Sequence, residues 1–99
     1  MSVQGTWELA VARSDGTIIV TLDLTMLGNV VTGTSKRSDG LTVDIMDGSF
    51  DGGTLAYDVE IQDPIPARLH FALTVSGDTL AGTFASEQVG GGTVTGKRV

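Results

Sequence analysis

The sequence predicts an all-β protein: one eight-stranded antiparallel up-and-down β-barrel, a single domain covering residues 1–99. Three observations lead there. Apolar and polar residues alternate with period two along almost the whole chain, and no stretch carries helical periodicity. Short turns holding Gly beside Asp or Asn separate these runs, and such pairs reach the positive φ that tight hairpins require. Links this short join only antiparallel neighbours, and a meander of eight strands leaves two raw edges unless it closes. A two-sheet sandwich would need longer crossovers than the chain contains.

The predicted strands are Gly5–Arg13, Thr17–Leu27, Val30–Arg37, Leu41–Phe50, Thr54–Gln62, Ala67–Ser76, Thr79–Ala85 and Thr93–Arg98. Trp7, Leu9, Val11 and Arg13 share the inward face of the first, and Ile18, Val20, Leu22, Leu24 and Met26 that of the second. Val31, Gly33, Ser35 and Arg37 follow, then Leu41, Val43 and Ile45, with a bulge at Gly48 resetting the phase to Phe50. Leu55, Tyr57, Val59 and Ile61 line the fifth strand, and Leu69, Phe71, Leu73 and Val75 the sixth. The last two contribute Leu80, Gly82 and Phe84, then Val94, Gly96 and Arg98. Similar turn-plus-Gly stretches, Leu27 to Thr34 and Ser76 to Thr83, read as recurring hairpin chemistry in which inward Gly lets a strand bend around a narrow barrel. Counting strand directions places Trp7, Met26, Phe50 and Arg98 at one end, the bottom. Arg13, Arg37, Ile61, Leu69 and Phe84 fall at the other, with the two longest connections. The predicted shape is a plugged cup.

Composition removes several function classes. Twelve Asp and Glu against six Lys and Arg give a net charge of −6, which opposes nucleic-acid binding. No apolar run is long enough for a membrane-spanning helix. With no Cys and one His, the chain offers no disulfide, no thiol nucleophile and no expected metal site or cofactor. The start Met1-Ser2-Val3-Gln4 lacks a basic stretch leading into an apolar run, so the cytoplasm is the expected compartment.

Gly5-Thr6-Trp7 on the first strand and Arg98 on the last resemble the calycin superfamily of lipocalins, fatty-acid-binding proteins and avidins. That resemblance implies a barrel bottom closed by Trp7, with the Arg98 guanidinium lying across its ring. The segment Gly5 to Thr34 is most similar to avidins, sharing Gly-Thr-Trp and the later Thr32-Gly33-Thr34. It departs from them after Trp7, where Glu8, Leu9, Ala10 and Val11 stand in place of polar biotin ligands. Trp7 is also the only Trp. Biotin binding is therefore not carried over.

The expected function is binding of a small apolar or amphipathic molecule. Arg13 and Arg37 at the mouth suit a carboxylate head, and Val20, Tyr57, Ile61, Leu69, Phe71 and Phe84 would line an apolar body. Against this stands the simpler reading, in which both arginines reach solvent or pair with Asp15 and Asp39. Tyr57 needs a hydroxyl partner, which Ser35 or a ligand could provide, though a core Tyr more often meets a water or a backbone group. His70 alternates outward and reads as a surface residue. Ser, His and Asp show no spacing that assembles a triad. The acids Asp44, Asp47, Asp51 and Asp58 lack calcium-loop spacing, and Gly90 to Gly92 precede no helix. Two alternatives stay open. One is a small barrel enzyme, an isomerase or cyclase acting by confinement through Tyr57, Arg37 and Arg13. The other is a ligand-free module, with Ile19, Leu27 and Ala10–Ala12 as an outward contact for a homodimer.

Overall fold

The computed structural model describes residues 3–13, 16–62, 65–88 and 90–99. The expected Arg13–Asp15 contact, the Asp63-Pro64 pair and the first two residues lie outside that set. The strands are β1 (Gly5–Arg13), β2 (Gly16–Leu27), β3 (Val30–Arg37), β4 (Thr42–Asp44), β5 (Met46–Phe50), β6 (Thr54–Ile61), β7 (Ala67–Ser76), β8 (Thr79–Ala85) and β9 (Gly92–Arg98). They form one antiparallel sheet in the order β2-β1-β9-β8-β7-β6-β5-β3-β4, and β2 also pairs with β3, which closes the ring. Since β4 and β5 occupy one strand position, this is an eight-stranded closed barrel, with no helix among the described residues.

Period-two alternation carries directly into burial. On β7 every second residue, Ala67 through Val75, is buried while Arg68, His70, Ala72 and Thr74 are exposed. The core runs the length of the barrel, with Trp7, Leu22, Leu55 and Leu73 wholly inaccessible. Inward glycines set its tight cross-section. At Gly33 (φ +152°) a Cβ would lie 1.8 Å from the Asp23 carbonyl oxygen, and at Gly82 it would lie 2.1 Å from that of Ala72. Any side chain there would push neighbouring strands apart.

The fourth strand departs from its prediction. It is not continuous over Leu41–Phe50 but breaks at Ile45, and Leu41 stays outside β4. The cause lies around the anticipated bulge. Asp47 adopts a left-handed φ of 53°, and the β5–β6 register shifts between Met46 and Ser49. Gly48 presses so closely on β3 that its Cβ would sit 2.2 Å from the Val31 carbonyl oxygen. The bulge turns the chain away from β6, so the β5–β6 ladder ends at Met46↔Asp58 and β4 pairs with β3 alone. Above that point the barrel wall is unzipped between β4 and β6.

Candidate functional site

The bottom of the barrel is sealed. Trp7 pairs with Leu22 on β2 and with Arg98 on β9. Its indole N–H donates to the Val3 carbonyl at 2.9 Å, so the ring is buried without an orphaned donor. The Arg98 guanidinium lies over the ring at 4.3 Å from the centroid. It is held there by donating to Asp78 Oδ1 (3.0 Å) and to the Gln4 carbonyl (2.6 Å). Charge, stacking and three chain segments thus meet at one plug.

The top is different. A cavity of about 50 Å³ opens there. Its walls are Val11, Ile18, Val20, Val59, Ile61, Leu69 and Phe71, with Leu41 and Val43 on the side where β4 parts from β6. Arg13 and Arg37 stand at the rim, and Ser35 is set into the wall. Of the side chains expected to line a ligand, Val20, Ile61, Leu69, Phe71, Arg13 and Arg37 are there. Tyr57 and Phe84 lie outside the lining. They flank Phe71 in a ladder of stacked rings, with centroids 4.8 Å apart for Tyr57–Phe71 and 5.5 Å for Phe71–Phe84. Direct cross-strand pairing of all three positions produces this ladder. Tyr57 therefore packs within the core beside Phe71, and no hydrogen bond joins it to Ser35. Burial pushes its hydroxyl far above the ordinary tyrosine range, so it stays protonated and unsuited to acid–base work at neutral pH.

Arg37 pairs with Asp39 across the β3 turn, Nη2 to Oδ2 at 2.6 Å and Nε to Oδ1 at 3.3 Å. Hydrogen bonds from Arg37 and from the Leu41 amide hold the Asp39 carboxyl below the usual carboxylate range. The simpler expectation for Arg37, a partner in the adjacent turn, thus describes its geometry, and it still borders the cavity.

A second group of polar side chains sits on the outer face, where alternation placed only a lone His70. Nδ1 of His70 meets Asp58 Oδ1 at 2.5 Å, and Arg68 donates to Asp58 Oδ2 and Asp47 Oδ2 at 2.8 Å each. Partial burial of Asp58 opposes its ionisation, but the His70 and Arg68 hydrogen bonds outweigh it and hold the carboxyl low. Ser86 borders the same open groove, its hydroxyl donating to Gln88 Oε1 at 3.1 Å. The register Asp58↔His70↔Ala85 assembles this group from three strands. No linear spacing could have shown it. Among the described residues no set of His, Asp or Glu is arranged to hold a metal ion, and no helix is long and apolar enough to cross a membrane.

No protein-family model and no curated protein sequence matches the chain. Solved structures do. A redesigned β-barrel, mFAP1, bound to DFHBI superposes with a TM-score of 0.71 at 12% identity, over 98% of this chain and 94% of that one. A de novo designed fluorescence-activating β-barrel gives 0.66 at 23% identity over 97% and 93%. A further redesigned barrel gives 0.72 at 18% over 98% and 91%. At these identities the likeness establishes the closed barrel and its strand order.

Proposed function

We propose that the protein is a calycin-like barrel that binds a small amphipathic molecule. The apolar tip enters the cup, and a carboxylate head stays at the rim with Arg13 and Arg37. The observation that carries this reading is the cavity itself: apolar walls, one open end and two guanidinium groups at its edge. The Trp7–Arg98 plug supports the calycin-like assignment. The reading is supported by mFAP1, a barrel of the same fold that is bound to the small molecule DFHBI. Size narrows the guest. One water needs roughly 10–15 Å³ on the same measure, so about 50 Å³ holds a short or slender tip and not a long acyl chain.

The test is a titration of sodium pentanoate followed by amide NMR shifts. Saturable shifts at Val11, Ser35 and Val59 are expected. The Arg13→Ala, Arg37→Ala double variant should bind roughly tenfold or more weakly, since charge-assisted bonds to the head group are lost. No saturable binding, or equal affinity in the double variant, overturns the proposal. The deeply buried side chains of the lower barrel favour the ligand-free module as a second reading, for which concentration-dependent mass would be the positive sign.

A further inference from the structure

Ser35 has no evident structural purpose. It is the one buried polar or charged side chain among the described residues, 9% exposed, between Leu22 on β2 and Val43 on β4. No protein group among those residues hydrogen-bonds its hydroxyl. Nor is the oxygen sealed in, because no enclosed side-chain polar atom among them lacks a partner. As a wall residue of the cup, it therefore presents its oxygen to the cavity. Ala or Val at this position would pack at least as well, since a hydroxyl without a partner in an apolar wall contributes nothing to the fold.

The consequence appears when the cup fills. Solvent serves the hydroxyl while the cup is open, but a purely apolar tip would exclude solvent and leave it unpaired, a penalty against that ligand. A tip carrying an oxygen at the same depth would meet it instead. Ser35 and Arg37 point to the same face two residues apart on β3, so their Cα atoms are roughly 7 Å apart along the strand. We infer that Ser35 is the specificity-determining side chain of the cup. The ligand is then an acid with a second hydrogen-bonding oxygen, a carbonyl or hydroxyl, a few bonds below its carboxylate. This rests on the amphipath reading above and names its chemical class.

Levulinate (4-oxopentanoate) and pentanoate form a matched pair that differs only at that oxygen. The parent should bind levulinate roughly two- to tenfold more tightly, the range of one net hydrogen bond. Ser35→Ala should abolish the preference while still binding pentanoate, and should melt no lower than the parent. Equal binding of the two acids by the parent, or a preference that survives in Ser35→Ala, overturns the inference and leaves the amphipath reading standing. A lower melting temperature would make the hydroxyl structural and also overturn it. Failure of the parent to bind either acid overturns both. If Ser35→Ala does not fold, Ser35→Cys, nearly isosteric with a weaker donor, is read by the same ratio.

Discussion

The two ends of this barrel are built by the same strands and behave differently. At the bottom, Trp7, Phe50, Leu55 and Leu73 are buried to 2% exposure or less, and Arg98 lies over the indole face. At the top, β-branched residues such as Val11, Val20, Val43 and Val59 stand where larger ones would meet in the middle, and the wall parts between β4 and β6. Side-chain volume and one bulge, not a change of fold, convert a plug into a cup. The lesson is that a barrel this narrow has no spare interior unless its sequence withholds bulk at one end.

The largest test of that contrast is Trp7→Ala. Removing a wholly buried indole, and with it the surface Arg98 rests on, should cost about 3–5 kcal/mol, measured by urea unfolding with circular dichroism. A cost under about 0.5 kcal/mol, the scale of an ordinary surface change, would mean the bottom is not the stable end. Next comes a matched pair. Leu73→Ala at the filled end should cost about 2–5 kcal/mol. Val59→Ala beside the existing cavity should cost about 1.5 kcal/mol, mostly lost transfer free energy with little new void. Equal costs would erase the distinction.

The smallest effect concerns pH. Asp39 at the mouth, Asp58 on the outer wall and Asp51 at a bottom turn all have carboxyls held below their ordinary value. For Asp51 the cause is hydrogen bonds from the Thr54 and Gly53 amides. A depressed carboxyl adds stability that is present above its unfolded value, about 3.9, and is lost as pH falls through the lower folded value. Stability should therefore decline below about pH 4. Asp39→Asn and Asp51→Asn should each make that decline shallower, as read from urea midpoints at pH 5 and pH 3. A contribution from only one of them would tie the difference between the ends to charge; similar contributions from both would leave it to apolar packing.

How much of this was legible beforehand depends on distance along the chain. The buried set of β7 follows from alternation alone, and so does the inward placement of Arg13 and Arg37. The bulge near Gly48 was visible as a break in phase, yet its effect, the parting of β4 from β6, was not. Alternation places Tyr57 on the inward face, and only the register that stacks it on Phe71 shows its neighbours there. The Asp58, His70 and Arg68 group is not legible in the sequence, because it spans β6 and β7 and depends on their register.

What the sequence by itself determined is the barrel, its strand count, its two faces and its two ends. These follow from local rules, side-chain direction at every residue and the φ available at every turn, which act within a few positions of chain. What only the tertiary structure decided is how much space those faces leave and who meets whom across it. The cup of about 50 Å³, the solitary hydroxyl of Ser35 and the outer ionic group depend on strand register and summed side-chain volume. Those quantities exist only once residues far apart in sequence share a ring of hydrogen bonds, because packing is a property of neighbours in space.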